Sequence, residues 1–274
     1  MRLRALLVIL VAAVVPASPV FAGSIFVTGH DPIWHSNFGG NSVGARNLAL
    51  TGIDFARNGS ALPFLFIESK TDPIPPGNAH EAPFLTSALG FAAGDFDVMD
   101  GADLLGLADF RATLSNYSAI VVASDHGGML SADELLFLNS HALDIIDYLN
   151  DGGGLFASGE SNATGMIGAT PRFAFLPFLV SSTDFQSAEV NNSVTAFGAS
   201  LGLVNADVNG NFSHNFFAST GGMNPVDLFN GDSTRPLSLA FRGTIGTGGV
   251  PEPGTMLLLG AALGTLGVGK RRRT

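Results

Sequence analysis

The sequence predicts an α/β domain, a parallel sheet with helices on both faces, flanked by a disordered or helical tail at each end. Three observations point there. Short runs with apolar residues at successive positions recur within 24–28, 63–68, 117–124 and 155–158, as strands buried on both faces require. Segments with helical periodicity separate them, at 42–58 and 132–150. Glycine clusters and capping residues mark where one element type gives way to the next.

The elements follow in order. Ser24-Ile25-Phe26-Val27-Thr28, closed by Gly29, reads as a buried first strand. Asn41 or Ser42 can cap a helix whose apolar positions are Val43, Leu48, Leu50, Ile53 and Phe55, with Gly59 ending it. A second strand spans 63–68, and a proline-rich loop runs from 70 to 83. A third strand is expected near 96–99. The run Ala119-Ile120-Val121-Val122-Ala123 is β-branched and stops at Asp125-His126-Gly127-Gly128. Ser131 and Glu134 have capping-box spacing, and Leu135, Leu138, Ala142, Ile145, Ile146 and Leu149 continue one helix to about residue 150. Gly152-Gly153-Gly154 ends it and starts the strand that closes at Ser158. Residues 173–249 read as shorter strands and loops rich in Asn, Ser and Gly, with a last strand at 236–241.

Charge and composition exclude several functions. Of 13 basic and 23 acidic residues, six basic and one acidic lie in the end segments. The remaining 7 and 22 give the body a net charge of about −15, which repels phosphate backbones, so no nucleic-acid partner is expected. The chain has no cysteine, which excludes thiolate chemistry and disulfides alike. With 22 Phe against 2 Tyr and a single Trp, the aromatics are chiefly core filling.

The two ends carry targeting information. Arg2 and Arg4 precede an apolar run from 5 to 15 and a small-residue cleavage site before Gly23, the plan of a secretory signal peptide over 1–22. The run is shorter than the ~20 residues of a bilayer span, which argues against an uncleaved anchor. At the other end Pro251-Glu252-Pro253 precedes an apolar stretch, Met256 to Gly269, and then Lys270-Arg271-Arg272-Arg273. Prolines bar helix at the junction, the stretch reads as a short membrane crossing, and the basic cluster stays cytoplasmic. This order over 250–274 resembles the PEP-CTERM sorting signal. That resemblance implies an exosortase-type peptidase as partner, a transmembrane segment in the tail, and delivery to the periplasmic or cell-surface side of the membrane, or release from it, in a Gram-negative bacterium with a biofilm or exopolysaccharide matrix.

The body, 23–249, reads as one domain. Its order of strand, helix and strand, then Tyr-x-Ala-Ile-Val-Val-Ala-Ser-Asp-His-Gly-Gly, a capped helix and Gly-Gly-Gly-Leu-Phe-Ala-Ser-Gly-Glu, resembles the class I glutamine amidotransferase-like superfamily, including its ThuA-like and non-catalytic branches. The resemblance implies a flavodoxin-like sheet with its cleft at Gly127-Gly128 and beside Ser158. Without cysteine, ordinary glutamine amidotransfer is excluded.

Polar residues gather after three predicted strands: His30, Asp31 and His35; Asp125 and His126; Ser158 and Glu160. Ligands of parallel α/β sheets bind beyond the carboxyl ends of the strands. Imidazoles and carboxylates there suit a divalent metal, with His30, Asp31, His35, Asp125 and His126 as ligands, or general acid and base catalysis. Ser158 as nucleophile with His214 as base and Glu160 beside them is a second arrangement, although Gly-x-Ser-x-Gly is absent. The same residues also read as turn formers and caps. Two function classes stay open: a non-catalytic domain for envelope or matrix binding, exopolysaccharide included, and a surface hydrolase that can be metal-dependent.

Overall fold

The computed structural model describes residues 23–69, 80–125, 130–159 and 172–245. The expected signal peptide, the sorting tail with its apolar stretch, His126, Gly127, Gly128 and Glu160 lie outside these residues. In chain order the elements are β1 (Gly23–Thr28), α1 (Pro32–His35), α2 (Ser42–Arg57), β2 (Phe64–Ile67), α3 (Ala82–Ser87), β3 (Phe96–Met99), α4 (Gly101–Leu105), α5 (Phe110–Leu114) and β4 (Ala119–Val122). Then come α6 (Ala132–Ser140), α7 (Ala142–Asn150), β5 (Gly154–Ser158), β6 (Val180–Ala188), β7 (Ser193–Val194), α8 (Ala196–Ser200), β8 (Phe212–Thr220), β9 (Asn224–Leu228) and β10 (Pro236–Gly243).

Eight strands form one sheet in the order β3-β2-β4-β5-β1-β10-β9-β7. The first five are parallel, so the four expected segments are indeed parallel neighbours. The last three extend the sheet antiparallel from the edge of β1. A separate antiparallel pair joins β6 and β8. Alternate residues of each parallel strand enter opposite cores, because side chains project to the two faces in turn. Ile25, Val27, Leu65, Ile120 and Leu155 join Leu104, Leu114, Leu135 and Ile146 on one face. Phe26, Phe66, Val121 and Phe156 join Leu48, Ile53, Phe84 and Leu85 on the other. Phe26 and Phe156 are wholly buried and stack at 5.9 Å between ring centroids, each stabilising the fold by about 1.5–3 kcal/mol.

The caps fall where expected. Asn41 accepts the Gly44 N–H, and Ser131 and Glu134 form the capping box of α6. The long helix expected over 132–150 divides at His141, whose backbone leaves the helical region at φ −107, ψ 24. Asn139, Ser140 and His141 are weak helix formers. Ser140 Oγ donates to the Phe137 carbonyl while the His141 ring stacks on Phe137 at 4.0 Å, so local bonds replace the continuous ladder. Helix α3 begins inside the segment expected to be loop, with proline in its first turn, where the missing N–H is harmless.

Two glycines set close approaches. A Cβ at Gly154 would lie 1.8 Å from the Ala56 carbonyl oxygen of α2, and one at Gly29 would lie 2.1 Å from that of Asn215. The first lets α2 settle on β5, and the second lets β8 cross the end of β1.

Candidate functional site

Every parallel strand ends at the carboxyl edge in a buried polar residue. Across the sheet these are Asp100 after β3, Glu68 after β2, Asp125 after β4, Ser158 closing β5, and His30 with Asp31 after β1. The reason is local. The apolar strand needs both faces in the core, and the next residues turn over an edge where backbone groups want partners. A row of hydroxyls lies in register there, Ser238 against Thr28 and Thr28 against Ser158. Thr28 Oγ1 and Ser238 Oγ are bonded at 2.9 Å. Among the described residues, buried Ser158 Oγ has no hydrogen-bond partner.

His30 is held from both sides. Its Nδ1 lies 2.5 Å from Glu189 Oε1 and its Nε2 2.7 Å from Asp227 Oδ2. Burial alone lowers an imidazole pKa, but the charges and hydrogen bonds of Asp227 and Glu189 outweigh it and push His30 up to about 10. Burial likewise raises Glu189, and His30 overcomes this to hold it below the usual carboxylate range. The group is therefore a buried imidazolium between two carboxylates, and both ring nitrogens carry protons. Asp31, wholly buried, follows in the left-handed region at φ 58, ψ 55. A non-glycine residue there stores strain that surrounding packing must hold.

His35 and His214 form a second imidazole pair. Their Nε2 atoms are 3.2 Å apart and their rings are parallel to within 4°. Because His35 Nδ1 meets the Phe38 carbonyl at 2.8 Å, which only accepts, that nitrogen carries a proton. The two Nε2 atoms share one proton between them. Arg172, where the described chain resumes after β5, completes the edge. Arg172 donates from Nε to Asp125 Oδ2 and from a terminal nitrogen to Asp184 Oδ1, both at 2.6 Å, and Asn215 Nδ2 donates to the same Asp184 oxygen.

At the end of β2, Glu68 accepts the backbone N–H groups of Glu81 and Ala82, and Glu81 accepts that of Ser124 at 3.3 Å. Burial first, then the charge of Glu81, pushes the Glu68 carboxyl up to about 8.

The edge thus carries His30, Asp31, His35, Asp125, Ser158 and His214, but in separate bonded groups. His30 joins Glu189 and Asp227, Asp125 joins Arg172, and His214 joins His35 with no hydrogen bond to Ser158. Among the described residues no group of three or more His, Asp or Glu is arranged to hold a metal ion. Sequence reasoning missed Glu68, Glu81, Arg172, Glu189 and Asp227. Glu68 was open to the same strand-end argument as Asp125; the others come from segments without periodicity. A cavity of about 10 Å³ beside His30, His35 and Glu189 has room for about one water. Two larger clefts lie elsewhere. One of 490 Å³ is at the amino ends of the strands, lined by Arg57, Arg111, Tyr117, Tyr148 and Asp151, and one of 610 Å³ lies between α2 and Leu201–Leu203.

Among the described residues no helix is long and apolar enough to cross a membrane. No match to this chain was found among curated proteins. Residues 249–273 match the PEP-CTERM protein-sorting motif, which agrees with the reading of the tail. By that motif the chain is similar to exported, membrane-associated surface proteins of Gram-negative bacteria, and it is a substrate for exosortase processing.

Proposed function

We propose that residues 23–249 form a non-catalytic, amidotransferase-like surface domain that binds envelope or matrix material, exopolysaccharide included, at the carboxyl edge of its parallel sheet. One observation carries this reading: five neighbouring strand ends present buried Asp, Glu, His or Ser at that edge. Buried charges cost several kcal/mol each before compensation, so stability alone does not select such a row. Carboxylate acceptors and a hydroxyl suit a polyhydroxylated ligand, whose O–H groups donate. The parallel order and the α6–α7 crossover from β4 to β5 support the amidotransferase-like assignment. The test is a glycan array probed with the mature chain. Binding should be lost in Asp125→Asn and Ser158→Val; binding that survives both contradicts the reading.

The second reading, a surface hydrolase, rests on the His35–His214 pair. Two Nε2 atoms 3.2 Å apart can both reach one divalent ion at about 2.0–2.1 Å if their shared proton leaves. Asp31, Asp125 and His126 would be further ligands, and Ser158, Glu160 and His214 would carry the alternative serine chemistry. His30, with both nitrogens engaged, would position the edge rather than ligate. Elemental analysis should then find one equivalent of metal that His35→Ala abolishes, together with ester or glycoside turnover.

A further inference from the structure

The chain leaves the domain at the edge opposite the candidate site. Strand β10 runs antiparallel to β1, so its last residue, Gly243, pairs with the first residue of β1, Gly23. Two residues later the exit is fixed to the end of α7: Asn150 Oδ1 accepts the Ile245 N–H at 2.8 Å, and Asn150 Nδ2 donates to the Ile245 carbonyl at 3.1 Å. Ten residues, 246–255, then separate this clamp from Met256, where the apolar stretch of the sorting motif begins. Even fully extended they reach at most about 35 Å, and Pro251 and Pro253 stiffen them. The carboxyl edge lies a further strand length away, about 20 Å for the six residues of β1.

We propose that the amino edge of the sheet is the domain's membrane-facing surface while the chain is tethered, and that the carboxyl edge points away from the lipid. Bringing the carboxyl edge to the membrane would require the short, proline-stiffened connection to double back along the whole height of the sheet. This inference rests on the reading that the tail is membrane-embedded before processing.

The absence of cysteine makes single introduced thiols clean reporters. The full chain is reconstituted into phosphatidylethanolamine–phosphatidylglycerol vesicles carrying a nitroxide-headgroup lipid, with a fluorophore at Ser60→Cys on the amino edge or Asn37→Cys beyond the carboxyl edge; both positions are exposed. Quenching at residue 60 should exceed that at residue 37 by about threefold or more, given a separation of about 20 Å along the strands. A flexible insertion of about 20 residues after position 248 should erase the difference. Equal quenching, or stronger quenching at residue 37, in chains that float with the vesicles overturns the proposal alone. Chains that do not float overturn the membrane-tail reading and the proposal with it.

Discussion

His30 Nε2 lies 2.7 Å from Oδ2 of Asp227, a residue 197 positions further along the chain. With Glu189 on the other ring nitrogen, this contact ties the antiparallel extension of the sheet to the carboxyl end of β1. Removing the imidazole leaves two buried carboxylates facing each other. His30→Ala should cost about 3–5 kcal/mol in chemical denaturation, far more than a surface substitution.

The same cluster sets a pH dependence. His30 is raised from 6.5 to about 10, so its contribution is fully present below about 6.5 and is lost as pH rises through 10. Glu189 is lowered from 4.5, so its contribution is present above that value and is lost as pH falls below it. The difference in stability between the native chain and His30→Gln should therefore be greatest between about pH 4.5 and 6.5 and shrink on either side. A difference that is flat from acid to alkaline pH would contradict the ion-paired assignment.

Glu68 behaves in the opposite sense to an ordinary paired acid. Raised from 4.5 to about 8, it keeps its proton in the folded chain where the unfolded chain has released it, so its contribution falls as pH rises from 4.5 to 8. Infrared spectra at about pH 6 should show a buried protonated carboxyl that Glu68→Gln removes. Glu81→Gln, which removes the neighbouring charge, should shift the ionisation of Glu68 downward.

Gly154→Ala should destabilise the fold by about 1–3 kcal/mol or more, since its Cβ would meet the Ala56 carbonyl at 1.8 Å. Gly94→Ala, with nothing within 4 Å of its Cβ, should change stability by no more than about 0.5 kcal/mol. Thermal unfolding of the two variants in parallel checks the packing of α2 on β5.

Ser158 separates support of the fold from recognition. Its hydroxyl is buried without a partner among the described residues, so Ser158→Ala should leave stability within about 0.5 kcal/mol or raise it slightly. Ligand binding should weaken. A large loss of stability would show that the hydroxyl supports the fold.

Much of the framework was legible because it is local. The runs at β1, β2, β4 and β5 carry apolar residues on both faces, and the Ser131–Glu134 box and Asn41 cap need only a few residues of context. The partners that organise the site were not legible. Glu189 and Asp227 sit among Asn-, Ser- and Gly-rich segments whose periodicity marks neither face, and each meets His30 only because β8, β9 and β10 return to the edge of β1. Arg172 finds Asp125 in the same way. His30, Asp31 and Asp125 were identified from their positions at strand ends, but their bonding depends on residues tens to hundreds of positions away. The break at His141 reflects competition between side-chain and helical hydrogen bonds, which apolar spacing does not report.

The central claim, that the carboxyl edge takes the ligand, is tested most directly by hydrogen–deuterium exchange of the mature chain with and without extracellular polysaccharide from the producing cells. The account predicts slowed exchange at residues 28–36, 123–125 and 157–159, with the amino edge unchanged. Protection confined to residues 57–62 and 151–153, around the opposite cleft, would contradict it.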